Sequence, residues 1–93
     1  MTDYPDLQLF IDNQWRKTAD TLPVLNPATE AEIGRLPVAG RSDLDDALEA
    51  AERGFRLWSR TAPRERARII LRAASLLRER AAQIAPSITM ENG

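Results

Sequence analysis

SDLDDALEAAERGFRLW, residues 42–58, decides how the rest of the chain is read. Its apolar side chains Leu44, Ala47, Leu48, Ala51, Phe55 and Trp58 recur at the spacing of one helix face, which predicts an amphipathic helix ending near Ser59. Ser42 is a good N-cap, Asp45 three residues on completes an acidic capping box, and Asp43 and Asp46 favour the positive end of the helix dipole. Further on, Pro63 suits the first turn of a second helix, because its missing N–H would be unpaired there anyway. The face expected to be buried on that helix reads Ala67, Ile70, Leu71, Ala74, Leu77 and Ala81. Inside a continuing helix Pro86 would clash with the carbonyl of residue 82, at a cost of ~3 kcal/mol. A break is therefore predicted near 80–82, followed by a third helix through Glu91 with Pro86 in or near its first turn.

Upstream the side-chain period changes to two. Leu7, Leu9, Ile11 and Trp15 alternate with Gln8, Asp12, Gln14 and Arg16, the pattern of a half-buried strand, with Phe10 interrupting it to cover the second face. Thr18 to Thr21 is polar and turn-prone, and Leu22 to Leu25 reads as a short second strand that Pro23 confines to an edge or a strand start. Asn26-Pro27-Ala28-Thr29 supplies turn chemistry, since Pro27 fixes φ and the Asn26 side chain can bond backbone donors two residues on. Glu32 to Val38 is a third extended segment in which Gly34 signals a bulge or a close backbone approach. The fold class is therefore α+β, with short antiparallel strands in residues 1–40 followed by two to three helices in residues 41–93.

A chain of 93 residues, 43% hydrophobic and 29% charged, makes one globular unit at most. It buries only about 60% of its unfolded surface, so its own core is marginal. With no cysteine and no histidine it has no disulfide, thiolate nucleophile, imidazole base or usual zinc ligand. Met1 to Asp6 carries two carboxylates and a proline where a secretory signal needs a basic start and an apolar run, and no stretch is apolar enough to span a bilayer. The expected location is cytoplasmic, away from any membrane. A formal net charge of -1 argues against a nucleic-acid partner.

Three groups of side chains could carry chemistry. Arg60, Arg64, Arg68 and Arg72 sit four apart and share one helix face, a pattern that binds phosphates in some proteins and is a solvated face in most. Asp45/Glu49 and Asp46/Glu49 are close enough to share a metal or a proton, yet acids at a helix start are favoured without any function. Trp15 and Trp58 fall on apolar faces and are read as core. Gly34, Gly40, Gly54 and Gly93 form no phosphate-binding spacing.

The order of the segments says more than any one of them. Leu9 to Trp15 is an aliphatic strand ending in tryptophan, and Asn26-Pro27-Ala28-Thr29 is followed shortly by Ile33-Gly34. Asp43 to Ala47 runs through Ala50-Ala51, Phe55 and Trp58; Arg64-Glu65-Arg66-Ala67 and Arg78-Glu79-Arg80-Ala81 mark two ends of a helix; and Thr89-Met90-Glu91-Asn92-Gly93 closes the chain. In this order and spacing they resemble the N-terminal segment of the aldehyde dehydrogenase superfamily, whose members normally continue with Lys-Pro. Two positions depart from the family pattern: Asn13-Gln14 stands where Gly-Glu is usual, and Glu30 where glycine follows the threonine. If that turn needs a left-handed residue, Glu30 strains it.

The resemblance implies a parent enzyme that oxidises an aldehyde or semialdehyde to a carboxylic acid with NAD or NADP, through a cysteine thioester. It implies that the two segments together are one incomplete part of a cofactor-binding domain, and that its catalytic and cofactor-binding residues lie elsewhere. The 93 residues alone are then expected to be inactive and to bind no cofactor. The expected partners are the remainder of the subunit and further copies in a homo-oligomer. The opening strand and the paired Arg-Glu-Arg-Ala sequences lean slightly towards succinate-semialdehyde-type members. The family's monovalent cation site would map onto the backbone carbonyls of Val24 and Leu25 and the carboxylate of Glu91. The competing expectation is a self-contained small helical interaction module that uses its arginine-rich face.

Overall fold

Asp12 and Asn13 both adopt positive φ, 53° and 63°, and this pair of left-handed residues folds the expected single strand back on itself. In the computed structural model, which describes residues 4–93, β1 (Leu9–Ile11) and β2 (Gln14–Arg16) form an antiparallel hairpin with Phe10 opposite Trp15. The start of Met1 to Asp6, read above for a targeting signal, lies outside the described residues. Two residues with φ > 0 make the tight turn whose twist matches that of the flanking strands, and Asp and Asn tolerate that backbone better than other non-glycine residues. The alternation of Leu9, Ile11 and Trp15 thus belongs to two strands, not one.

Strands β3 (Thr21–Leu25) and β4 (Glu32–Pro37) form a second antiparallel pair, with Val24 opposite Gly34 and Leu25 opposite Glu32. Ile33 is left over at that step, so the bulge expected at Gly34 falls on its neighbour. The connecting turn follows the Asn-Pro reading: Asn26 Oδ1 accepts from the Ala28 N–H at 2.9 Å, and the Asn26 carbonyl accepts from the Glu30 N–H at 2.7 Å. Glu30 has φ 63°, so the turn does require a left-handed residue and a side chain with a Cβ occupies it under strain.

Helix α1 (Arg41–Trp58) starts two residues earlier than an N-cap at Ser42 would place it. Gly40 is the N-cap, and the box is closed from one side only, by Asp43 Oδ2 accepting from the Gly40 N–H at 2.9 Å. The carboxylate at the third helical position wins over the hydroxyl of Ser42 because Asp43 is also held by an arginine, as described below. Helix α2 (Pro63–Glu79) has its proline in the first turn as expected, and Arg80, at φ -99° and ψ 7°, makes the break before α3 (Ala81–Asn92). Pro86 sits just past the first turn of α3; it gives the Ala82 carbonyl no donor, and the helix continues past that gap.

Packing differs most from expectation. No described residue is buried, and Trp15, Phe55 and Leu71 are 69%, 69% and 67% exposed. The predicted apolar faces exist but are bare: α1 turns the smaller Asp43, Ala47 and Ala50 inward, towards the β1–β2 hairpin, and leaves Leu44, Leu48, Phe55 and Trp58 open. Trp15 and Trp58 are therefore not core residues among the described contacts. On α2, Ala74 and Leu76 are half-buried while Ile70, Leu71 and Leu77 face outward. The radius of gyration, 16.8 Å, exceeds the ~12 Å expected of a compact domain of this length. The chain is a slab of 48 × 34 × 16 Å, too thin to enclose an interior.

Candidate functional site

The end of β3 and the end of α3 carry Val24, Leu25 and Glu91, the positions onto which the family resemblance maps a cation site, and the α3 end approaches the turn that follows β3. The C-terminal turn of α3 lies on the Asn-Pro turn: a Cβ built on Gly93 would stand 3.0 Å from the Ala28 nitrogen and 3.4 Å from the Pro27 Cβ. Gly93 reaches that position with φ 78°, a backbone that favours glycine. Glu91, two residues back from the contact, accepts a hydrogen bond from the Tyr4 hydroxyl. The Tyr4 ring in turn lies against Gly34, the ladder partner of Val24, so closely that a Cβ on Gly34 would be 2.7 Å from two ring carbons. Glu91, Tyr4, Gly34 and Val24 thus form one chain of contacts and pairings between the N-terminal segment, the second hairpin and α3.

The donor set suits a hard cation, because backbone carbonyls and a carboxylate are all oxygen ligands. It is a partial set. Among the described residues no three His, Cys, Asp or Glu side chains are clustered as metal ligands, and one oxygen of Glu91 is already engaged by Tyr4. Hydrogen bonding to Glu91, partial burial and the carboxylate's charge together push the Tyr4 hydroxyl up from 10.0 to about 12.

A second polar cluster ties the first hairpin to α1. Arg16 Nη1 donates to Asp43 Oδ1 at 3.0 Å and to Asp46 Oδ2 at 2.8 Å. The Gly40 amide and then this guanidinium hold the Asp43 carboxyl below its usual range. Asp46 is thereby committed to a structural pair, which removes the Asp46/Glu49 combination as a proton-sharing or metal-binding pair. Arg53 Nη2 reaches Asp12 in the hairpin turn at 2.9 Å, a second link between the same two elements.

Of the expected arginine stripe, Arg60 lies in the turn before α2, and the part on the helix itself is partly neutralised there. Arg68 grips Glu65 through both Nε, at 3.0 Å, and Nη2, at 2.5 Å, and Arg72 lies 3.6 Å from Glu79. Neither helix start offers a free cradle of amides to a phosphate: at α1 Asp43 occupies the Gly40 N–H, and α2 begins on a proline. Sequence reasoning missed Tyr4 and Arg16. Arg16 had a readable signal, a cation at a strand end preceding an acidic helix start, whereas Tyr4 gave none beyond a lone aromatic before a proline.

An α+β segment with two hairpins, three helices and uncovered apolar faces is the expected shape of one part of a larger α/β enzyme. The sequence model of the aldehyde dehydrogenase family matches residues 15–93, and the chain belongs to that family. It is 37% identical, over 94 aligned residues, to the malonate-semialdehyde dehydrogenase of Bacillus pumilus, covering 99% of this chain and 19% of the relative. It is 38% identical to malonate-semialdehyde dehydrogenase 1 of Geobacillus thermodenitrificans, again over 99% of this chain and 19% of the relative. To the mitochondrial methylmalonate-semialdehyde/malonate-semialdehyde dehydrogenase [acylating] of Mus musculus it is 34% identical, over 96% of this chain and 17% of the relative. The chain thus spans about a fifth of the length of these curated relatives. No described helix is long and apolar enough to cross a membrane.

Proposed function

We propose that this chain is the N-terminal portion of an NAD(P)-dependent semialdehyde dehydrogenase subunit, built to pack against the rest of that subunit and contributing no catalytic residue. The observation that carries this reading is the family match across 15–93 on a chain that leaves large apolar side chains such as Leu44, Leu48, Phe55 and Leu71 exposed and buries none of the described ones fully. A self-contained module would have to close a core, and the described residues bury none. The substrate class is a short acidic semialdehyde. The relatives' names favour malonate or methylmalonate semialdehyde over the succinate semialdehyde suggested by sequence pattern.

The chemistry of such an enzyme needs a thiolate to attack the aldehyde and a nicotinamide to take the hydride, and a chain without cysteine supplies no such thiolate. The role of these 93 residues is to shape and orient: α1 and the β1–β2 hairpin present apolar faces, and the ion pairs of Arg16 fix the angle between them. The Val24 and Leu25 carbonyls with Glu91 form part of a monovalent cation site, supported by the approach of the α3 end to the β3–β4 turn. A subunit active in a homo-oligomer in the cytoplasm completes the proposal.

The test is nicotinamide reduction with malonate semialdehyde, run on the full-length protein that carries this sequence and on the isolated 93 residues. Turnover by the first and none by the second is expected. Turnover by the isolated chain, or a full-length protein that reduces neither NAD nor NADP with any semialdehyde, refutes the reading.

A further inference from the structure

We propose that residues 4–8, which lead into β1, form a strap, pinned by Tyr4, that fastens the C-terminal end of α3 to the β3–β4 hairpin. Three observations converge on it. The Tyr4 ring fills the space over Gly34 that only a residue without a side chain leaves open, since a Cβ there would stand 2.7 Å from the ring. Its hydroxyl donates to Glu91, a residue 87 positions away in sequence and on a different element. Independently of Tyr4, the last residue of the described chain already lies on the same hairpin's turn, with Gly93 against Ala28 and Pro27.

The ring fixes one end of the strap by shape and the hydroxyl fixes the other by a charge-assisted hydrogen bond, so neither contact alone defines it. A tyrosine performs both tasks with only two rotatable side-chain angles, which keeps the ordering cost low. Gly34 has a specific reason to be glycine: its φ lies outside the left-handed region, so the requirement comes from the approach of the ring and not from backbone conformation. What the strap controls is the direction in which the chain leaves α3 and the orientation of the Glu91 carboxylate. Tyr4 is a positioning residue in this scheme and takes no part in chemistry.

The experiment compares amide hydrogen exchange in the full-length protein with its Tyr4→Phe and Gly34→Ala variants. Tyr4→Phe keeps the ring and loses the hydrogen bond; Gly34→Ala fills the notch and leaves the hydroxyl and Glu91 untouched. Both are expected to speed exchange of the last turn of α3 and of the 26–30 turn about threefold, with α1 peptides unchanged. Unchanged exchange at 26–30 and 89–93 in both variants overturns the strap. Should a variant loosen the whole molecule, selective labelling of the unaltered protein decides instead: a nuclear Overhauser contact between the ring of Tyr4 and the α-protons of Gly34 supports the strap, and its absence overturns it.

Discussion

Leu48→Ala separates a face meant for another part of the protein from one that seals this chain's own interior. In the isolated 93 residues Leu48 is 61% exposed, so only about two fifths of the side chain leaves water on folding. Full burial of a leucine is worth roughly 1.5–3 kcal/mol, which scales to about 0.5–1 kcal/mol here. If the same face is covered by the remainder of the subunit, the substitution removes a fully buried side chain and leaves a cavity, at a cost of about 2–5 kcal/mol. The assay is urea denaturation, followed by circular dichroism for the isolated chain and by retained dehydrogenase activity for the full-length protein. A small loss in the first and a loss several times larger in the second is expected. A cost of 2 kcal/mol or more in the isolated chain would mean that Leu48 belongs to a local core, and would refute the reasoning.

Glu30→Gly relieves the left-handed residue of the Asn-Pro turn, where φ is 63°, and should raise the urea midpoint of the isolated chain by the equivalent of up to about 1 kcal/mol; a lowered midpoint counts against the strain. Tyr4 is the only tyrosine, so tyrosinate absorbance reports it alone, and its midpoint should lie near 12 and return towards 10.0 in Glu91→Gln. Because the folded value is the higher one, the Tyr4 contribution to stability is complete below pH 10.0 and is lost as pH rises through about 12. Asp43 has the opposite sign: its depressed carboxyl stabilises the fold above the usual carboxylate value of 3.8, and that contribution disappears as pH falls through the lower folded value. Arg16→Met removes the second of its two main causes, so the acid-unfolding midpoint followed by circular dichroism should move to higher pH; no movement would show that Arg16 does not hold Asp43.

The helices were legible because their information is periodic and local. Leu44 to Trp58 marks a face whether or not anything covers it, Pro63 marks a start, and Arg80 with Pro86 downstream marks a break. The Asn-Pro turn and the disturbance at Gly34 were legible for the same reason, since each rests on one residue's backbone chemistry. The first hairpin was misread because Asp12-Asn13 satisfies an alternating pattern as well as a two-residue turn, and only the positive φ of both residues settles which applies. The α1 start moved because a carboxylate shared between Gly40 and Arg16 outcompetes a nearby hydroxyl, and Arg16 comes from another element. Tyr4 was out of reach altogether: its partners, Gly34 and Glu91, are separated from it by distances along the chain that no local pattern encodes.

The segment therefore keeps two kinds of interaction apart. Its own elements are joined by polar links, Arg16 to Asp43 and Asp46, Arg53 to Asp12 and Tyr4 to Glu91, and by small residues that let α1 approach the hairpin. Exposed ion pairs of this kind set geometry more than they stabilise. Many of its large apolar residues, Leu44, Leu48, Phe55 and Leu71 among them, stay exposed beside those joints. The accessible surface, 7715 Å², exceeds the roughly 5,400 Å² expected of a compact chain of 10.4 kDa by about 2,300 Å². One partner in a standard protein complex covers about 800 Å² on each side, well under half of that excess. A transient partner docking on one helix would leave most of the surplus bare, whereas a covalently continuous domain wrapping both hairpin and helices can cover it. The area thus favours an intramolecular seam as the purpose of these faces, and it is the reason the proposed role is that of a packing segment and not of a free-standing binding module.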